Sequence, residues 1–379
     1  MLSLPPWKRV VIKVGSALIA PQGKCVSTKH LLGISRLIAE FAATGKQVVL
    51  VSSGAVAAGI SCVPNVGNQR YISEKQALAA IGQSLLMSTW GRFFDFPCAQ
   101  VLLTHDDFRN RRRYVNAKNT LREILRLGCL PIVNENDTVS VDELKLGDND
   151  NLAAHVAGLI DADLLVILSD VDGLHDANPR LVPQAKLIPE VLSITPKIYA
   201  LAGDTHNARA TGGMRTKIQA AEKAVSRGIH CVIAAGTKRT SLDALLEGHT
   251  TGTLFHSRAN PISAKKHWLR HVVPVSGRIV VDHGAALALQ KKGASLLPPG
   301  VLEVGGGFSR GEAVEIFCRK DQGNESRIAK GITQYKLEDC RKIMGHHSDN
   351  IQSLLGFVYS DVIIHRDDLV FFKPEEVLV

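Results

Sequence analysis

The chain has 379 residues, 45% hydrophobic and 21% charged, with a mean hydropathy of +0.06 and a formal charge of +9. That length allows two domains or one large one, and no run reaches the roughly 18 apolar residues of a membrane span. The start MLSLPPWKRV lacks a signal-peptide core, and seven scattered cysteines without a CxxC pair suggest neither a disulfide framework nor a zinc site, so a cytoplasmic location is expected.

In chain order, RVVIKVGSALI (9–19) predicts a strand running into Gly15 and Ser16. Lys13 sits near its end, beside a turn that exposes backbone N–H groups, which suits a phosphate. The alternative is an edge residue with its head in water. STKHLLGISRLIAEFAATG (27–45) has helical spacing, a Ser/Thr start and a Gly stop. QVVLVSSGAVAAG (47–59) predicts a buried strand, then Ser52-Ser53-Gly54, then a helix of small residues. That order fits an anion site at a helix N-terminus, or simply a helix packed closely on a sheet. Residues 74–94 read as a helix, 97–108 contain a strand, and 114–127 are amphipathic and basic.

Polar chemistry concentrates in PIVNENDTVSVDELKLGDNDN (131–151). A strand over 130–133 opens into Asn134, Glu135, Asn136 and Asp137. An alternating segment, hairpin or flap, leads to Asp148, Asn149, Asp150 and Asn151, with Asp148 or Asn149 capping the next helix. Two such clusters can converge on one small ligand, or can be an Asx-rich turn followed by a cap. A strand at 162–168 ends in Ser169 and Asp170. In ATGGMRTKIQAAEKAVSRG (210–228), Thr211, Gly212 and Gly213 precede a helix whose first turn carries Lys217. The macrodipole disfavours a cation there, and a bound polyphosphate would reverse that preference. No Walker motif or strand-following GxGxxG is present.

Strands alternating with helices imply an open α/β/α sandwich with a mainly parallel sheet. Ligands in such sheets sit at the carboxyl ends of the strands, where Lys13 to Ser16, Ser52 to Gly54, Asn134 to Asp137 and Ser169-Asp170 all fall. A boundary is placed near Ser276, dividing the chain into 1–258, a linker at 259–275, and 276–379. From Ser276 onward there are 13 Lys and Arg against 14 Asp and Glu, so the basic excess lies upstream. Two basic clusters, Arg109–Arg113 and Lys265–His271, read as solvated faces. Attraction of anionic substrates or nucleic acid is the functional alternative.

KVGS at Lys13, SSGAVAAG at Ser52, VNENDTV at Val133, GDNDNLAA at Gly147 and TGGMRTK at Thr211 together resemble the amino acid kinase family, in the right order and over essentially the whole chain. The resemblance is nearest to members that phosphorylate the γ-carboxylate of L-glutamate with ATP, the first step of proline biosynthesis. It implies that Lys13 and Lys217 lie along the phosphates and that Asp150 organises them. It implies glutamate binding by Ser53, Asn134, Asp137, Asp148 and Asn149. The implied ATP site adds Gly15, Ser16, Ser169, Asp170, Thr211, Gly212, Gly213, Met214, Arg215 and Thr216 to the two lysines. Ser169 stands where Thr is frequent and keeps the hydroxyl. Mg²⁺ is expected on ATP rather than on protein side chains. Implied partners are proline as feedback inhibitor, a glutamyl phosphate reductase, and further copies of the chain as dimer or tetramer.

The C-terminal segment reads as short strands with Gly/Pro turns and a helix near Ala285, a small mostly-β barrel that resembles a PUA domain. Its near-neutral charge favours a structural or regulatory role over RNA binding, for which Arg310, Lys320, Arg327 and Lys330 are the residues to test. Rival readings are an aspartate or N-acetylglutamate kinase, or an RNA-binding protein with a degenerate kinase domain.

Overall fold

A computed structural model of the chain describes residues 1–21, 23, 25–63, 71–140, 149–179, 181–202, 213–257, 269, 273–319 and 324–372. They form two compact units: Met1–Arg109 with Asn116–Pro261, and Asn110–Val115 with Ile262–Val379.

The first unit runs β1 (Leu2–Ser3), β2 (Arg9–Val14), α1 (Ser16–Ile19), α2 (Thr28–Ala43), β3 (Gln47–Ser52), α3 (Ala55–Cys62), α4 (Ile72–Gly91), β4 (Cys98–Leu103), α5 (His105–Arg109) and α6 (Arg111–Arg126), the last beginning among residues grouped with the second unit. It continues with β5 (Leu130–Glu135), α7 (Asn149–Leu159), β6 (Leu164–Ser169), β7 (Glu190–Val191), α8 (Pro196–Leu201), α9 (Met214–Ser226), β8 (His230–Ala235), α10 (Arg239–Leu246), β9 (His249–Thr250) and β10 (Thr253–Phe255). Eight strands make one sheet in the order β4-β5-β3-β2-β6-β8-β10-β7, parallel except where β10 meets β8.

The central strands are apolar on both faces, as a sheet covered by helices on both sides requires. Val10, Ile12 and Val14 of β2 share a core with Val48, Leu50, Ile132, Val166 and residues of α2, α3, α4 and α10. Their odd-numbered neighbours Val11, Val49, Val51, Val133 and Ile167 are equally buried on the opposite face, against α7 and α9. Lys13 belongs to that second face, so the two-residue strand period delivers one lysine into the α7 layer. Parallel register then aligns the strand ends: Val14 lies beside Ser52 and Leu168, and Ser169 beside Ala235.

Two glycine contacts set the layer over β3. Gly54 turns from β3 into α3 at φ +94°, and a Cβ there would come within 2.7 Å of Ile19. On α4, a Cβ at Gly82 would meet the Ala55 carbonyl oxygen at 1.9 Å, and one at Gly59 would meet Leu78 in the same way. The α3 and α4 backbones are therefore in direct contact. Trp90, fully buried lower on α4, donates from Nε1 to Ser52 Oγ at 2.9 Å.

The second unit is a five-stranded sheet in the order β12-β11-β13-β14-β15, formed by β11 (Val275–Val281), β12 (Val301–Gly306), β13 (Ala313–Arg319), β14 (Glu325–Thr333) and β15 (Ile364–Phe371). Helices His283–Lys292, Leu337–Ile343 and Ile351–Leu355 add to its own core around Ile279, Val281, Ile316, Tyr335 and Ile364. Much of its charge is paired internally. Arg278 and Arg319 each bridge Glu303 and Glu325, and Arg327 pairs with Glu315 at 3.0 Å. Lys330 is buried with Nζ on the Val273 carbonyl, and Arg310 stacks 3.8 Å above the Tyr359 ring. Lys320 lies outside the described residues. Among the described residues, no helix is long and apolar enough to cross a membrane.

One expectation needs correction. Of the basic cluster at 109–113, Arg112 and Arg113 are exposed, but Arg111 is largely covered and its Nε donates to the Gly311 carbonyl within the second unit. Burial lowers its pKa, opposed by Tyr114 and Asp368 nearby. Val115, one turn along, packs with Leu269, Ala313, Ile332 and Val370. Arg111 is thus a packing residue. Of the cluster at 265–271, only Leu269 is described.

The α3–α4 contact is testable. Gly82→Ala should cost about 1–3 kcal/mol in a thermal or urea melt, because backbone on both sides resists the added carbon. Gly91→Ala, with nothing within 4 Å of the new carbon, should be neutral or stabilising by up to about 1 kcal/mol.

Candidate active site

Lys13 on β2 and Lys217 on α9 meet at a single carboxylate, Asp150 on α7. Each lysine is 4% exposed and Asp150 is 0% exposed. Lys13 Nζ pairs with Asp150 Oδ1, and Lys217 Nζ donates to Oδ2 at 3.0 Å. Thr216 Oγ1 lies 3.2 Å from the same Oδ2 and 2.8 Å from the Gly213 carbonyl, its one proton shared between them. Burial by itself would raise the Asp150 pKa, but the ammonium groups of Lys13 and then Lys217 overturn this and hold the carboxyl below its usual range. Asp150 also sits in the first turn of α7, where the macrodipole favours an anion.

The residue before it begins a second cluster. Asn149 Nδ2 faces the Ser52 carbonyl at 3.0 Å, Ser53 Oγ at 2.9 Å and Asn134 Oδ1 at 2.9 Å. Asn134 Oδ1 also accepts from the Glu135 N–H at 2.9 Å, and Asn134 Nδ2 donates to Gln83 Oε1 at 3.0 Å. The β5 and α7 polar groups do converge, and adjacent residues 149 and 150 join the carboxamide cluster to the lysine pair. Asp137 lies half-buried in the turn after β5, while Asp148 is outside the described residues.

The remaining predicted residues border the same strand ends. The Gly15 N–H donates to the Leu168 carbonyl at 3.1 Å, and Ser16 opens the short α1. Ser169 is buried and its Oγ donates to Asp170 Oδ1 at 3.0 Å, with Asp170 itself exposed. Gly213 precedes α9, whose first turn holds Met214, Arg215, Thr216 and Lys217. Thr211 and Gly212 lie outside the described residues. Among the described residues, no group of three or more His, Cys, Asp and Glu is placed to hold a metal.

Sequence reasoning passed over Gln83 and the second contact of α9 with α7, where Lys223 Nζ donates to Asn151 Oδ1 at 2.8 Å. Gln83 did carry a readable signal: it interrupts the buried stripe Ala79, Gly82, Leu86 and Trp90 of α4. His155, half-buried on α7 against Phe108, falls to a pKa of about 3 through burial, then Arg227, Lys223 and His105. It is therefore neutral at physiological pH.

Residues 8–235 match the Amino acid kinase family and residues 277–355 match the PUA domain. The glutamate 5-kinase of Salinibacter ruber is 54% identical over 371 residues, covering 97% of this chain and 98% of the relative. That of Xylella fastidiosa strain M12 is 50% identical over 97% of this chain and 96% of the relative. That of Idiomarina loihiensis is 49% identical over 98% of this chain and 100% of the relative. With a two-lysine carboxylate site at the ends of a parallel sheet, and likeness to these proteins from end to end, the chain belongs to the amino acid kinase family, among the glutamate 5-kinases that carry a C-terminal PUA domain.

Proposed function

We propose that the chain transfers the γ-phosphoryl group of ATP to the γ-carboxylate of L-glutamate, giving L-glutamyl 5-phosphate and ADP, the opening step of proline biosynthesis. The observation that carries this reading is the buried Lys13–Asp150–Lys217 group set one residue from the Ser53–Asn134–Asn149 cluster. A carboxylate oxygen attacks the γ-phosphorus as the bond to the β–γ bridging oxygen breaks, and that electron pair leaves with ADP. The nucleophile is already anionic at neutral pH, so no general base is required. The barrier lies in bringing two anions together and stabilising charge as it moves to the leaving oxygen.

Lys13 and Lys217 supply fixed positive charge in a site closed to water, where it acts more strongly than in solvent. Asp150 holds both heads in place, and one unit of net positive charge remains for the phosphates. With its carboxylate committed to the lysines, Asp150 suits this role better than metal ligation. A Mg²⁺ ion carried on the ATP oxygens supplies further neutralisation. Asn149, Asn134, Ser53, Asp137 and Asp148 are assigned to the amino acid, its α-ammonium meeting carboxylates and carboxamide oxygens. Gly15, Ser16, Ser169, Asp170 and the segment from Thr211 to Thr216 are assigned to ATP.

The product keeps an amine within reach of its own activated carbonyl, so intramolecular closure competes with use. Transfer to a reductase, feedback inhibition by proline and assembly into a dimer or tetramer belong to this same reading. Proline titration and sedimentation test the last two. The RNA-binding alternative loses ground because the phosphate-site lysines are intact and Arg327 and Lys330 are engaged within their own unit.

Trapping the acyl phosphate with hydroxylamine, with Mg·ATP and glutamate, aspartate or N-acetylglutamate side by side, tests the reaction. Hydroxamate from glutamate is expected; none from any of the three ends the kinase reading. Lys217→Ala should lower kcat by about 10²-fold or more, and a variant with normal kcat removes Lys217 from the chemistry. Asp150→Asn leaves two buried ammonium groups facing a neutral amide and should cost about 3–5 kcal/mol in a urea melt. The Asp150 pKa is lowered on folding, so its contribution is complete well above 3.8, the unfolded value, and fades as pH falls through the folded value. The stability gap between wild type and Asp150→Asn should therefore narrow below about pH 4.

A further inference from the structure

Gln83 lies on the apolar face of α4 and is 8% exposed. Its Oε1 accepts from Asn134 Nδ2 at 3.0 Å, and its Nε2 donates to Gln100 Oε1 on β4 at 3.2 Å. Lys13 is on the opposite face of the sheet, paired with Asp150. Gln83 is hydrogen-bonded to a carboxamide assigned to the amino acid and to neither lysine.

The direction of this hydrogen-bond chain is set by two backbone groups. The Glu135 N–H can only donate, so the Asn134 atom 2.9 Å from it is the carbonyl oxygen. The Ser52 carbonyl can only accept, so the Asn149 atom facing it is Nδ2, which also donates to Asn134 Oδ1. Two donors fix the Asn134 oxygen, and its Nδ2 is thereby turned toward α4. Only an acceptor satisfies it there, and Gln83 Oε1 is that acceptor. With Asn134 reversed, an NH₂ group would face two donors in a buried site. Gly82, next to Gln83, lets α4 sit against α3 with backbone contact, which fixes the depth from which Gln83 reaches Asn134.

We propose that Gln83 is a positioning residue for the amino-acid substrate. Its Oε1 satisfies the Asn134 Nδ2 and so holds in place the orientation that the Glu135 N–H and the Ser52 carbonyl select for Asn134 and Asn149, leaving Asn149 Oδ1 for a ligand donor such as an α-ammonium group. The inference rests on assigning Asn134 and Asn149 to glutamate. It goes further by naming a residue outside the binding shell that holds these amides in the orientation their backbone partners select.

Gln83→Met keeps the length and volume of the side chain and removes the acceptor. The KM for glutamate should rise about tenfold, the equivalent of one aligned hydrogen bond. The KM for ATP and kcat should stay within about twofold of wild type. Gln83→Glu retains an oxygen for Asn134, while the Gln100 amide can turn to donate to the second oxygen, so it should recover most of the glutamate affinity. Thermal melts of both variants separate this effect from loss of folded protein.

An unchanged KM for glutamate in Gln83→Met overturns the proposal. So does a parallel loss in both substrates that follows the fall in Tm, or a Gln83→Glu variant no better than Gln83→Met. If wild type forms no hydroxamate from glutamate, the reaction assignment falls and this inference with it. If wild type turns over glutamate and Gln83→Met matches it, the inference alone falls.

Discussion

One buried carboxylate ties together three elements of the first unit, β2, α7 and α9. Asp150 has no exposure, and a charge so placed is tolerable only beside compensating charge. Lys13 and Lys217 provide it, each of them buried beside it and paired with one of its oxygens. The three come from β2, α7 and α9, separated by more than a hundred residues and by several tens, so the group exists only in the folded sheet. The arrangement carries one more positive than negative charge in a place that water scarcely reaches. Such an environment favours an anionic ligand that spreads charge over several oxygens, as a triphosphate does.

The carboxamide side obeys a different constraint, the polarity of hydrogen bonds. Amides have two unlike ends, and a chain of them is determined only when its termini are pinned by groups that cannot reverse. Here the Glu135 N–H and the Ser52 carbonyl are those groups, both at carboxyl ends of strands. Parallel register thus does two jobs: it brings the strand ends side by side, and it supplies the backbone atoms that orient the side chains between them.

The central sheet could be read from sequence because β2, β3, β5 and β6 are buried on both faces and therefore appear as unbroken apolar runs. Ser27 and Gly45 marked the ends of α2 through their capping chemistry, and Ser27 indeed accepts from the Lys29 N–H. Strand order, the short β7, β9 and β10, and the reversal at β10 were not legible, since they depend on contacts between distant segments. Lys13, Asp150 and Lys217 were recognisable from motif and resemblance, but their shared ion group was not a property of spacing alone. Gln83 went unread because one polar residue in an apolar stripe resembles ordinary variation until its partner is in view. Arg111 was misread for the converse reason: among RNRRR it looks solvated, yet it shares a helix face with Val115, and that face is packed. The segment TVSVDELKL, expected as a hairpin or flap, falls mostly outside the described residues.

The stretch Asn110–Val115 also has a bearing on how the chain is made. Its packing partners, among them Gly311, Ala313, Ile332 and Val370, are synthesised some two hundred residues later. During translation the start of α6 must wait, with Tyr114 and Val115 lacking their apolar neighbours, until the final strands leave the ribosome. A loop that long is slow to close relative to the local contacts of α2 or α4. A ribosome that stops early therefore leaves Tyr114 and Val115 with an apolar surface still uncovered.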